Sequence, residues 1–291
     1  MNLSAITVSF PLDEETYEEV QRLCKTAAVC DGVLLNQVMN LPIAKSYEIR
    51  GFYVLVYDDE KNLLVGAGTA VDLMGLNTYE WSMLVAPMYR QLGIGTAILN
   101  VLKEGLAMRE SEGELALIVE GSHYGKEFLQ KNGYLYSFSE ATLEARAEVE
   151  QKEGPVTLRQ FMQKDTEALV SIFSDAFGDI REESLELIEF NTTTEGLVMW
   201  TAEIDGEVVG TVTTRKEGEV QWITAFAVSP KRQRQGIGTQ ILNLVKDYAL
   251  RSGDKTILLD VEVENMAALH VYEKAGFMKS SQLDYYIYIG L

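Results

Sequence analysis

The chain has 291 residues, with 44 Asp and Glu against 25 Lys and Arg, for a formal charge of −19 at pH 7. Such a surface repels a phosphate backbone, which disfavours nucleic acid as the main partner and is compatible with a cationic one. Hydrophobic content of 47%, two His and two Cys fit one large or two ordinary globular domains and give no support to a thiolate–imidazole metal site. No apolar run reaches the length of a membrane span, so no membrane partner is expected. The N-terminus has no basic region and soon meets Asp13, Glu14 and Glu15, so a secretory signal is not expected and the cytoplasm is. Cys24 and Cys30 then read as two buried thiols on one helix.

In chain order, Ile6 to Phe10 reads as a first strand and Asp13 to about Ala28 as an amphipathic helix with an acidic first turn. A second helix is expected over Leu34 to Met39. Gly51 to Tyr57 and Leu63 to Ala70 then form a hairpin across Asp58–Asn62. Glu144 to Pro155, rich in charge and ending Gly154-Pro155, reads as a linker. Beyond it the same plan returns: a strand over Val156 to Phe161, helices near Thr166 to Ala176 and Ser184 to Phe190, and strands Val198 to Ile204 and Glu207 to Thr214.

The return is a true internal repeat. Val85-Ala86-Pro87 and Arg90-Gln91-Leu92-Gly93-Ile94-Gly95-Thr96 recur 143 positions later, with Gly93 on Gly236 and Gly95 on Gly238. The same offset carries Gly133-Tyr134 onto Gly276-Phe277 without a gap. One fold has been duplicated, and the pattern of strands and helices is an α+β plan with a mixed sheet. The domains are expected at 1–148 and 149–291.

In the second copy, an apolar strand Ile223 to Val228 leads into Ser229-Pro230-Lys231-Arg232-Gln233-Arg234-Gln235-Gly236-Ile237-Gly238-Thr239. Ile237, Ile241, Leu242, Val245, Tyr248 and Ala249 follow at helical spacing. Strand, glycine turn and helix start aim unpaired N–H groups and a helix dipole at one spot, which suits a phosphate. A Walker loop needs Lys-Ser/Thr after the second glycine, where Thr239-Gln240 stand; the Rossmann fingerprint needs a third small residue where Ile241 stands. Thr256 to Glu264 alternates apolar and acidic residues, placing Asp260, Glu262 and Glu264 on one strand face. Asn265 ends it before a helix, Met266 to Lys274, that Gly276 stops.

On these residues the sequence resembles the GNAT superfamily of acyl-CoA-dependent N-acyltransferases. Gln233-x-x-Gly236-x-Gly238 matches its pyrophosphate loop, and Leu259-Asp260-Val261-Glu262-x-x-Asn265-x-x-Ala268-x-x-x-Tyr272-x-x-x-Gly276-Phe277 its later motif. The C-terminal copy looks most like ribosomal-protein N-terminal acetyltransferases. The resemblance implies two tandem GNAT-like domains, each a mixed, mostly antiparallel sheet flanked by helices. It further implies acetyl-CoA as cofactor and transfer of acetyl to a primary amine, on a small molecule or a peptide N-terminus, by a monomer or homodimer. The alternative is a non-catalytic acyl-CoA-binding or protein-interaction module.

The resemblance also implies roles. Phe226, Ala227 and Val228, the loop residues Gln233, Arg234, Gln235, Gly236, Ile237, Gly238 and Thr239, and Asn265, Ala268 and Tyr272 would line the cofactor. Arg232 and Arg234 either add charge there or are flanking surface basicity. Tyr272 would be the general acid, a phenol that stays protonated at neutral pH. Asp260, with Glu262 beside it, would be the base, directly or through a water. Trp222 stands where some relatives carry a strand Glu. Asn265 either orients the cofactor or caps its helix. At the offset of 143, Ser122, Leu117 and Leu129 replace Asn265, Asp260 and Tyr272, so the N-terminal copy is expected to be catalytically degenerate, with His123 and Tyr124 as weak substitutes. The acceptor would meet Phe177 to Glu183.

Overall fold

A computed structural model describes residues 2–32, 35–149 and 154–290. The chain divides into two compact units, one running to Ser139 and resuming at Leu283, the other Glu140–Gln282.

The first unit contains β1 (Leu3–Ser9), α1 (Glu14–Asp31), β2 (Arg50–Asp58), β3 (Leu63–Asp72), β4 (Thr78–Val85), α2 (Ile94–Met108), β5 (Gly113–Val119), α3 (His123–Lys131) and the start of β6 (Tyr134–Arg146). Its strands follow the order β1-β2-β3-β4-β5, antiparallel except for β4 with β5. Helix α1 starts where the Asp13 carboxylate accepts from Thr16 N at 2.8 Å, and it stops at left-handed Gly32. It buries Val20, Leu23, Cys24 and Ala27, one stripe at helical spacing.

Two expectations fail here. The helix over Leu34 to Met39 is absent where it is described: residues 36–40 are turns and Leu41–Ile43 a single 3-10 turn, with Leu34 outside the described residues. Asn40 takes a left-handed φ of 53° and Pro42 offers no N–H, so a helical ladder cannot continue. The strands satisfy the segment instead: Tyr53 donates to the Met39 carbonyl and Ser82 to that of Val38. The two thiols also differ, since Cys24 is buried and Cys30 exposed. Cys30 lies in the last turn of α1, beyond Ala27, where the buried stripe ends.

The second unit begins with the end of β6 and adds β7 (Thr157–Gln160), α4 (Thr166–Phe177), α5 (Arg181–Thr193), β8 (Leu197–Ile204), β9 (Glu207–Glu217), β10 (Val220–Val228), α6 (Ile237–Arg251), β11 (Thr256–Glu262), α7 (Met266–Lys274) and the start of β12 (Met278–Tyr288). Its strands run β7-β8-β9-β10-β11-β6, antiparallel except for β10 with β11. Glu144 to Arg146, read as linker, are the end of β6 and pair with Thr256–Leu258; residues 150–153 lie outside the described ones. Ala141, Leu143 and Ala145 supply the reason, because their alternation buries one face of the strand.

The two long strands β6 and β12 therefore each change unit along their length. The end of β6 closes the second sheet against β11, and Leu283–Ile287 of β12 close the first against β5. In the second unit one sheet face packs α6 through Ile241, Leu242 and Val245 against Ile257, Leu259 and Val261. The other face packs α4 and α5 through Leu169, Phe173 and Ile188 around Met199.

Candidate active site in the second unit

The parallel pairing of β10 with β11 covers only Val220–Trp222 against Thr256–Leu258, after which the strands separate. On its other side β10 carries a bulge: Thr224 faces Thr213 and Ala227 faces Thr211, so Ala225 and Phe226 share one opposite residue. Ala225 accordingly takes φ 45°. Bulges bend a strand and re-aim its backbone groups, and here this happens at the open end of the strand. The first unit lacks the device, since β4 runs in unbroken register with β3 from Glu80 to Val85.

The loop after β10 holds its shape by its own bonds. Pro230–Arg232 make a 3-10 turn, and Gln233 Nε2 donates to the Val228 carbonyl at 3.2 Å. Gln235 Nε2 donates to the Lys231 carbonyl at 3.4 Å. Arg234 and Gly236 sit at φ 60° and 78°, and α6 starts with no side-chain cap. Its first N–H groups are thus available to an anion. A Cβ on Gly236 would meet only Gln240 Nε2, at 4.0 Å, so this position faces open space. Gly238 differs: a Cβ there would lie 3.0 Å from Val271 and 3.4 Å from Phe226. Its lack of a side chain lets α6 close on β10 and α7. Arg232 is ion-paired with Glu207, while Lys231 and Arg234 are exposed and take no ion-pair partner among the described residues. Ile237 and Ala227 are buried, and Thr239 nearly so.

Tyr272 stands beside this cradle. Its ring lies 5.8 Å from that of Phe226 and 6.0 Å from that of Phe277. It is buried, and burial pushes its pKa up to about 12. Among the described residues its hydroxyl makes no hydrogen bond to the protein. Asn265 caps α7, its Oδ1 accepting from Ala268 N at 3.1 Å, which assigns both residues a structural task.

Asp260 lies on the sheet face opposite α6. The residue is solvent-exposed, yet the protein packed around its carboxyl desolvates it and raises its pKa. Thr142 Oγ1 on β6 donates to Asp260 Oδ1 at 2.7 Å and pulls the pKa the other way. The Asp260–Thr142 pairing, invisible to a reading of either repeat alone, and the β10 bulge are the two features that sequence reasoning missed. Glu262 is exposed on the same face, opposite Glu140.

The acceptor loop is largely committed to structure. Glu183 accepts from Ile180 N at 3.0 Å, and Arg181 is ion-paired with Glu167. Phe177 stacks on Phe173 at 5.5 Å. Asp179 has its pKa raised, first by burial and then by Glu183.

The first unit repeats the cradle's backbone with different side chains. Pro87–Tyr89 make the same turn, Gln91 and Gly93 sit at φ 61° and 83°, and Arg90 Nε reaches the Val85 carbonyl at 3.1 Å. Met88, Gln91 and Leu92 replace Lys231, Arg234 and Gln235, and Arg90 forms a two-bond pair with Asp31. Leu117 and Leu129 are buried where Asp260 and Tyr272 stand in the second unit. His123 and Tyr124 are exposed at the start of α3.

Among the described residues no helix is long and apolar enough to cross a membrane. The family model for the acetyltransferase (GNAT) family matches residues 21–134 and again 166–277. A mycothiol acetyltransferase of Stackebrandtia nassauensis is 24% identical over 290 residues, covering 92% of this chain and 94% of its own. A GCN5-related N-acetyltransferase from Sphaerobacter thermophilus superposes with a TM-score of 0.73 at 17% identity, covering 98% of each chain. A tandem GNAT protein from the clavulanic acid biosynthesis pathway does so with 0.68 at 16% identity, again over 98% of each. The protein is a tandem member of the GNAT family, an acyltransferase.

Proposed function

We propose that the second unit transfers acetyl from acetyl-CoA to a primary amine, with the first unit as a non-catalytic partner. Acetyl-CoA supplies the acyl group as a thioester. The N–H groups from Arg234 to Thr239 would hold its pyrophosphate, with Lys231 and Arg234 adding charge. The bulge at Ala225 and Phe226 would turn backbone donors toward the thioester carbonyl, where charge builds during attack. Tyr272 holds its proton at neutral pH and would give it to the departing sulfur. Asp260 would take the amine's proton, directly or through water; its raised pKa makes it a better base than an ordinary Asp. The acidic face shared by Asp260, Glu262 and Glu140 suits an ammonium acceptor.

One observation carries the reading: a buried tyrosine whose hydroxyl bonds no protein group among the described residues stands beside an uncapped helix start in the second copy, and Leu129 replaces it in the first. The test is thiol release from acetyl-CoA with a panel of small amines, peptides with free N-termini and, given the name of a relative that aligns over nearly the whole chain, a mycothiol-type acceptor. Release that depends on an amine supports transfer. Tight acetyl-CoA binding without release for any acceptor supports the binding-module reading instead.

A further inference from the structure

Thr142 belongs by numbering to the first repeat, yet its side chain serves the second unit. Strand β6 enters that unit at Glu140 and pairs with β11 so that Thr142 stands directly opposite Asp260. The hydroxyl donates to Oδ1 at 2.7 Å, and among the described residues Asp260 has no other hydrogen-bond partner. Ser280 in turn donates to the Thr142 carbonyl at 3.1 Å, fixing the strand on its far side. The equivalent cross-strand pair in the first unit is Leu117 opposite Tyr285, both buried and neither a carboxylate. A position that is sealed in one copy is thus polar and open in the other, and both members of the pair have changed together.

We propose that Thr142 is a positioning residue of the transfer site: it fixes one carboxylate oxygen of Asp260 and leaves the other free for the acceptor ammonium or its relay water. The inference rests on Asp260 acting as the base. A free carboxylate on an exposed strand face rotates; one tethered oxygen selects a rotamer and aims the second lone-pair set outward. A hydrogen bond to the ionised form also favours that form. The charged groups around the pair are Glu262 on β11 and Glu140, Glu144 and Arg146 on β6. Strand β10 brings none, and Lys279 on β12 bonds Gln282.

The experiment compares full-length wild type, Thr142→Val and Thr142→Ser. Valine keeps the branched shape that suits a strand, and serine keeps the hydroxyl. The first readout needs no acceptor: titration of the Asp260 carboxyl by carbon NMR in aspartate-labelled protein, assigned with Asp260→Asn. The second is kcat against pH with acetyl-CoA and whichever panel amine wild type turns over fastest. Thr142→Val is expected to move the Asp260 midpoint and the acidic limb of kcat to higher pH. It should lower kcat about tenfold, the scale of one hydrogen bond to a charged group, with KM for acetyl-CoA unchanged. Thr142→Ser should restore all three. An unmoved midpoint overturns the pairing, and a moved midpoint with unchanged kcat overturns the positioning role. If wild type acetylates no amine, the inference falls with the reading beneath it. A midpoint that still moves would then show that the pair exists but serves no transfer.

Discussion

Tyr272 and Asp260 carry opposite kinds of evidence. For Tyr272 the hydroxyl adds nothing to the fold that the ring does not already supply, because it bonds no protein group among the described residues. Tyr272→Phe should therefore melt like wild type and bind acetyl-CoA equally well, while kcat falls about a hundredfold, as loss of a general acid does. Isothermal titration and steady-state rates check both halves. For Asp260 the fold works against ionisation. Its folded pKa is raised above the unfolded value, so its contribution to stability is complete below the ordinary Asp pKa and is lost as pH rises through the folded one. Asn keeps an oxygen for Thr142 and carries no charge. Asp260→Asn should consequently raise Tm at pH 7, with the difference shrinking as pH falls through the carboxylate range, and should lower kcat by about a hundredfold or more.

The element that separates the two copies is the cradle with the strand that feeds it. Both loops share a 3-10 turn and left-handed residues at matching positions. In the first, Arg90 is tied to Asp31, and Met88 and Leu92 stand where Lys231 and Gln235 do, so it is expected to hold an anion less well. Acetyl-CoA is expected to titrate to one site per chain. Gly236→Glu should abolish that site, since it puts a side chain and a negative charge into open space at the helix start, whereas Gly93→Glu should leave it intact. Two sites in wild type would show that the first cradle binds through backbone groups alone. The bulge at Ala225 and Phe226 belongs to this scale as well, and no composition rule marks it. Thr-Ala-Phe-Ala-Val reads as an ordinary strand, and the extra residue is forced only by pairing with Thr211–Thr213 on β9.

At the scale of the molecule, the crossing of β6 and β12 makes each unit depend on residues far away in sequence. Tyr286 comes five residues before position 291 yet is buried in the first unit, against Tyr136 at 5.9 Å. Tyr286→Ala should cost that unit about 3–5 kcal/mol, the range for removing a large buried aromatic. Amide hydrogen exchange should accelerate in β5 and leave β11 unchanged; equal acceleration in both would mean the exchanged strands bind the two units into one cooperative block.

Periodicity, glycine placement and a gapless repeat were enough to give the duplication, the order of most elements, the glycine turn before α6 and the helix that carries the later motif, because each is set by residues close in the chain. The same local signals separated the copies chemically, through Leu117 and Leu129 against Asp260 and Tyr272. Contacts between distant residues lay beyond them. The helix expected over Leu34 to Met39 gave way to turns held by Tyr53 and Ser82. Glu144 to Arg146, charged enough to pass for linker, became sheet because Ala141, Leu143 and Ala145 found a core to bury in. Asp260 could be named from sequence as a carboxylate on the motif strand. That its partner is Thr142, more than a hundred residues earlier, was decided only when a strand of one repeat closed the sheet of the other, since a hydrogen bond is set by register in space and leaves no periodicity in the chain.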